Sequence, residues 1–283
     1  MLARLFVVLQ YLLPRYWLTS LVHWLARVRA PAVKDFLIRR FIHLYDVDTT
    51  DVKLAIPGDF ATFNDFFVRE LEDDARPIDA GPGAIVSPVD GTVSNAGSLR
   101  GCNIVQAKGI DYTLDDLLAT DLSDARTYAD GAFATIYLAP YNYHRIHAPF
   151  AGELVAMRYV PGDLFSVSAA TVSRVSGLFR RNERLVLHFS TQHGPAVLIF
   201  VGALNVGSIS TPWSGEIRPR KQGVVETIDL NSASRSVKKG SLLGWFNMGS
   251  TVIVLLPPQV CEWRPTLSSG ETVRMGQVIG DAS

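Results

Sequence analysis

The sequence predicts an α+β fold, with basic amphipathic helices first and a longer β-rich domain after them. Three observations predict it. Apolar residues in the first 45 positions recur at helical spacing. From about Gly83 onward the apolar runs shorten and are bounded by Gly, Pro, Asn and Asp, as strands are. Short Pro- and Val-headed patterns then repeat along this second part, as duplicated hairpins would. The 283 residues are 48% hydrophobic and 19% charged, enough for a sizeable core.

The first helix is expected from Leu2, Leu5, Phe6, Leu9, Leu12 and Leu13, interrupted by Arg4 and Gln10 and ended or kinked by Pro14. A second places Tyr16, Trp17, Leu18, Leu21, Val22, Trp24 and Leu25 before Arg27 and Arg29. A third sets Val33, Phe36, Leu37 and Phe41 against Lys34, Arg39 and Arg40. No uninterrupted apolar run approaches the ~20 residues that span a bilayer. No small-x-small cleavage site follows the first run. Net charge is zero, yet residues 1–43 hold seven basic side chains and one acid, leaving 20 basic and 26 acidic residues for the remainder. Cations, Trp and Tyr interleaved with apolar faces suit helices lying in a membrane interface. Residues 1–50 are therefore expected to rest on an anionic membrane surface, peripherally and on the cytoplasmic face of the inner membrane. Two cysteines, Cys102 and Cys261, imply neither a disulfide framework nor a four-cysteine zinc site. No nucleic-acid partner is expected.

Residues 51–82 read as a connector around a short helix, Phe63–Leu71. Residues 83–283 form the β-rich domain, with runs such as Phe133–Leu138, Leu185–Phe189 and Ala196–Val201, and a brief helix near Thr113–Leu118. Pro88–Val93, Pro149–Leu154 and Pro212–Ile217 all read P-x-x-G-x-apolar, with Pro at a turn corner, Gly in a left-handed position and a strand following. Val237–Gly244 and Val273–Gly280 both read V-x-x-G followed by one residue, two apolar residues and Gly. These patterns resemble the hairpins of biotinyl/lipoyl-type (barrel-sandwich hybrid) domains. No Met-Lys-Met carrier lysine accompanies them, so a carrier role is not expected.

Three patches carry candidate chemistry: Ser87–Gly91 with Asp90, Tyr141–Pro149 with His144 and His147, and Gly249-Ser250-Thr251 before the apolar run Val252–Leu256. Asp-Gly is a common turn pair, and Gly-Ser at a strand start is often only a turn. The two histidines lack a third metal ligand at a recognisable spacing. Together, however, the patches supply an acid, a base and a nucleophile. A hydroxyl is a weak nucleophile until a base takes its proton, and a carboxylate can orient that base in any chain order. Gly249, lacking Cβ, leaves its own carbonyl open to approach.

With these residues in place the chain resembles bacterial phosphatidylserine decarboxylase proenzymes. The likeness runs through Phe66-Phe67-Val68-Arg69-Glu70-Leu71 with Arg76-Pro77, Pro88-Val89-Asp90-Gly91, Tyr143–Pro149, Val201–Ile209 and Gly249-Ser250-Thr251. It covers nearly the whole chain. Met248 departs from the Leu that many relatives carry there, a swap of similar volume.

The resemblance implies a self-cleaving enzyme in which Asp90, His147 and Ser250 form a triad. Ser250 Oγ attacks the Gly249 carbonyl, and the ester then eliminates. Hydrolysis leaves a β chain, 1–249, and an α chain, 250–283, capped by a pyruvoyl group. That cofactor forms a Schiff base with phosphatidylserine and acts as electron sink for its decarboxylation to phosphatidylethanolamine. His144 is expected to deliver a proton or position substrate, and from the sequence alone His144 and His147 could exchange roles. A homodimer of the processed chains is implied. Two other readings stay open: a serine hydrolase that uses Asp90, His147 and Ser250 without self-cleavage, and a non-enzymatic lipoyl-like module.

Overall fold

The computed structural model describes residues 2–107, 110–119, 122–230 and 235–282. Among the described residues it is a mixed helix and sheet fold whose strand pairs are antiparallel, with no closed barrel. Three helices open the chain: α1 (Leu2–Leu12), α2 (Arg15–Leu25) and α3 (Pro31–Tyr45). Pro14 separates the first two, since proline cannot donate into a helix interior. Pro31 sits in the first turn of α3, where a missing N–H costs nothing. Helix α4 (Phe63–Phe67) starts at Thr62, whose Oγ1 accepts the Asp65 N–H at 3.1 Å. It stops four residues earlier than the sequence pattern suggests, because Leu71 pairs with Val52 and the Lys53 N–H donates to Glu70 O. α3 packs on α4 through Phe41, which meets Phe63 and Phe67 edge-on at 5.2 and 5.8 Å.

The β-rich part follows. Its strands are β1 (Ala84–Val86), β2 (Gly91–Ser98), β3 (Asn103–Ala107), β4 (Ile110–Thr113), β5 (Ala132–Tyr137), β6 (Arg145–His147), β7 (Gly152–Val160), β8 (Arg184–Thr191) and β9 (Gly194–Val201). They continue as β10 (Ile209–Thr211), β11 (Gly215–Ile217), β12 (Glu226–Ile228), β13 (Ser236–Val237), β14 (Leu242–Phe246), β15 (Thr251–Leu256), β16 (Cys261–Trp263), β17 (Thr272–Val273) and β18 (Val278–Ala282). Short helices α5 (Leu114–Leu118), α6 (Leu122–Thr127), α7 (Ala169–Val172) and α8 (Leu178–Arg181) lie between them. The largest sheet runs β12-β7-β8-β9-β15-β5-β2-β17, with β13 also on β7; β11-β10-β14-β6 and β1-β18-β16 form smaller sheets, and β3-β4 a hairpin. β15 lies between β5 and β9, so the run Val252–Leu256 is buried on both faces and reads as continuously apolar.

The internal echo is a structural repeat. Gly91, Gly152 and Gly215 each begin a strand. Gly91 pairs with Val273 and Gly152 with Val237, so each of the first two P-x-x-G units meets one V-x-x-G unit. The Gly276 N–H donates to Ser87 O at 3.0 Å, and the Gly240 N–H to Ala148 O at 2.8 Å, at corresponding positions. Of the three P-x-x-G glycines only Gly215 is left-handed (φ 66°), in the tight β10–β11 turn. Gly91 and Gly152 are small for another reason: a Cβ would lie 2.5 Å from Tyr137 O and 2.7 Å from Ser190 O, respectively.

Candidate active site

Ser250 is the last residue before β15 and is fully buried. Its carbonyl accepts the Leu138 N–H at 2.7 Å, which extends the β5–β15 ladder by one rung and fixes the peptide. Its Oγ has no hydrogen-bond partner. A buried hydroxyl left unpaired costs about 1–3 kcal/mol and marks a place held for something other than stability.

His144 supplies the counterpart. It too is fully buried, under the Phe67 ring at 4.1 Å between centroids. Its Nδ1–H donates to the Asn142 carbonyl at 2.7 Å, so Nε2 carries the lone pair. Nε2 is also without a partner. A Cβ built on Gly249 would lie 3.0 Å from this nitrogen and 3.2 Å from Leu138 O. The imidazole edge thus rests against the Gly249 backbone, next to Ser250. Burial first, and then the Arg69 guanidinium, pushes the His144 pKa down to about 3, so the ring is neutral. A cleft of about 180 Å³ reaches this point, walled by Phe41, Tyr45, Ser166, Val167, Asn205 and Met248 among others.

His147 lies elsewhere. Its Nδ1–H donates to Gly240 O at 2.9 Å, and its Nε2 accepts the Tyr143 hydroxyl at 3.1 Å. It lines a second cleft, one walled by charged side chains that include Arg145, Arg76 and Lys53. Burial lowers its pKa. Asp90 is held by Arg76, whose Nη2 approaches Oδ2 at 2.7 Å, and by the Met275 N–H, at 2.8 Å from Oδ1. Asp90 and His147 are neighbours through the backbone, where the His147 N–H donates to Pro88 O at 2.9 Å. The structure therefore brings Gly249, Ser250 and His144 together and seats Asp90 and His147 beside each other. Among the described residues, no hydrogen bond joins Asp90 to His147 or His147 to Ser250.

Three further residues shape the site. Arg69 is buried, donates to Tyr141 O at 3.2 Å and leaves Nε and Nη1 unpartnered. Asn142 sets the His144 tautomer, and Asn205 carries an unpartnered buried Oδ1 at φ 67°. The signal for Arg69 is a cation inside an aromatic, otherwise buried segment. Asn142 and Asn205 give no such signal, since Asn is an ordinary turn residue. No group of three or more metal-ligating side chains occurs among the described residues.

Residues 63–281 match the phosphatidylserine decarboxylase family model, and residues 5–46 match a second model described as PSD. The phosphatidylserine decarboxylase proenzyme of Methylococcus capsulatus is 43% identical over 98% of this chain and 96% of its own. That of Alcanivorax borkumensis is 45% identical over 98% and 96%, and that of Saccharophagus degradans 42% over 98% and 97%. An unpaired serine and an unpaired imidazole nitrogen at one buried Gly-Ser bond, together with these matches, place the chain in the phosphatidylserine decarboxylase family.

Proposed function

We propose that this chain is a proenzyme that cuts itself between Gly249 and Ser250 and then decarboxylates phosphatidylserine to phosphatidylethanolamine. The observation that carries the reading is the pair of buried, unpartnered atoms at that bond, Ser250 Oγ and His144 Nε2. Ser250 Oγ attacks the Gly249 carbonyl carbon, the amide C–N bond breaks, and the residue 250 nitrogen takes a proton, giving an ester. Loss of the residue 250 α-proton expels the Gly249 carboxylate and leaves dehydroalanine. Water then replaces the nitrogen, releasing ammonia and a pyruvoyl-capped chain 250–283. The buried position of residue 250, with the cleft reaching Gly249, fits such a group. The group supplies an electron-withdrawing carbonyl conjugated to the reacting centre.

The two histidines divide the work. Placing a proton on His144 at pH 7 costs on the order of 5 kcal/mol, given its pKa of about 3. Proton removal from Ser250 is better suited to His147 with Asp90, as the resemblance implies. This requires His147 Nε2 to exchange the Tyr143 hydroxyl for the serine. His144, already in contact with Gly249, orients residue 250 and later positions the substrate.

The N-terminal helices would seat the enzyme on the cytoplasmic membrane face. Among the described residues no helix is long and apolar enough to cross a membrane. The helices nevertheless expose Phe6, Val8, Leu9 and Leu12 on α1, Trp17, Leu21 and Trp24 on α2, and Phe36 and Leu44 on α3, beside exposed Arg4, Arg29, Arg39 and Arg40. That combination supports interfacial binding. The paired turn-and-strand units support a barrel-sandwich-like origin for the β domain, and two processed chains would assemble as a homodimer.

The test is the intact mass of the purified protein. Wild type should give chains 1–249 and 250–283, and Ser250→Ala a single full-length chain. An uncut wild type with Ser250 intact would refute the reading. Binding to anionic vesicles should weaken at high salt.

A further inference from the structure

Helices α1 and α2 are inside-out. Many of their described aromatic and aliphatic side chains are exposed, Leu12 at 77% and Trp17 at 66%, whereas Gln10 and Thr19 are 0% and 1% exposed. A polar side chain is buried at a cost unless it is bonded, and both are bonded at informative places. Gln10 Oε1 accepts the Ser166 N–H at 2.8 Å, and its Nε2 donates to Thr171 Oγ1 at 3.2 Å. Thr19 Oγ1 accepts the Asn205 N–H at 3.2 Å. Ser166 and Asn205 both belong to the wall of the cleft that reaches Gly249. Asn205 also brings to that wall an unpartnered buried acceptor, Oδ1, on a left-handed backbone. α3 adds Phe41 and Tyr45 to the wall directly.

We propose that Gln10 and Thr19 are positioning residues for decarboxylation, by which α1 and α2 hold two stretches of the catalytic cleft wall in place. The N-terminal helices are then part of the catalytic architecture as well as a membrane anchor. The proposal rests on the reading of the Gly249–Ser250 cleft as the active site. Two of these bonds end on backbone N–H groups in the wall, at Ser166 and Asn205, so losing either leaves a partly buried donor unpaired and frees the segment to shift. A displacement near 1 Å at a reacting site can cost roughly a hundredfold in rate. Ser250 is itself held by β5 and His144 by Phe67 and Asn142, so self-cleavage should proceed without either bond.

The experiment uses the full chain and three variants: Thr19→Val, which is nearly isosteric, Thr19→Ser, which keeps the hydroxyl, and Gln10→Met. Three quantities are read: intact mass, co-sedimentation with phosphatidylglycerol–phosphatidylcholine vesicles, and carbon dioxide release from short-chain phosphatidylserine in non-ionic detergent micelles, where no bilayer is needed. Thr19→Val and Gln10→Met should be fully cleaved, bind vesicles as wild type does, and lose roughly ten- to a hundredfold in kcat with a smaller change in KM. Thr19→Ser should restore kcat to within about twofold. Gln10→Met carries the same test on the other helix if Thr19→Val does not fold. The proposal is overturned if the folded variants turn over within about twofold of wild type in micelles, if Thr19→Ser fails to restore kcat, or if activity falls only together with vesicle binding. An uncut wild-type chain would overturn the reading of the site instead.

Discussion

Replacing Gly249 by alanine adds one carbon at the bond to be broken. That carbon would meet His144 Nε2 at 3.0 Å and Leu138 O at 3.2 Å. Ordinary contacts lie near 3.5–4.0 Å, so several tenths of an ångström must be found. Neither neighbour can give freely. His144 is tied to Asn142 O at 2.7 Å and covered by Phe67, and Leu138 is bound through its N–H to Ser250 O at 2.7 Å. Gly249 is not left-handed, so alanine meets no backbone penalty and the effect is one of contact alone. Overpacking of this kind costs about 1–3 kcal/mol. Expressed at the reacting bond, it slows cleavage by roughly ten- to a hundredfold, at about 1.4 kcal/mol per factor of ten. The assay is a time course of freshly synthesised protein on a denaturing gel, checked by intact mass. Gly58→Ala is the control, since its new carbon meets nothing within 4 Å and its φ is not left-handed. Cleavage of Gly249→Ala at the wild-type rate would refute the packing of His144 on the scissile residue.

The histidines separate in a paired experiment. His147→Ala should remain one full-length chain, whereas His144→Ala should be cut but release little carbon dioxide; the reverse pattern would exchange their roles. Glu183 offers a pH test away from the reaction. It is fully buried, accepts the Tyr159 hydroxyl at 2.6 Å, and burial raises its pKa from 4.5 to about 7. The folded state therefore holds this proton more tightly than the unfolded chain does. The resulting stability is complete below pH 4.5 and is lost as pH rises through about 7. Relative to Glu183→Gln, wild type should lose about 3 kcal/mol across that window, read from denaturant melts at several pH values. Parallel pH profiles for the two proteins would show that Glu183 is not a buried proton holder.

Much of the fold is legible because it is local. Helical spacing and Pro14 define α1 to α3, and the run after Ser250 defines a strand buried on both faces. The left-handed turn glycine Gly215 is equally local. What the pattern misassigns is the reason for some glycines: Gly91 and Gly152 are small because a neighbouring carbonyl crowds them, and that carbonyl comes from a distant strand.

The sequence by itself determined the chemistry available to this protein: a Gly-Ser bond ahead of a buried strand, two histidines, an acid in a turn, and a basic apolar N-terminus. Only the tertiary structure decided which of them meet. His144 immediately precedes β6 and His147 ends it, three residues on, and an odd spacing along extended chain sends side chains to opposite faces. One imidazole therefore reaches Gly249, while the other faces Tyr143 and Gly240. Asp90 is likewise taken up by Arg76, and Gln10 and Thr19 turn inward from helices that expose many apolar side chains. Each of these choices depends on strand pairing or helix docking between segments far apart in sequence, and local periodicity does not encode which distant backbone will arrive.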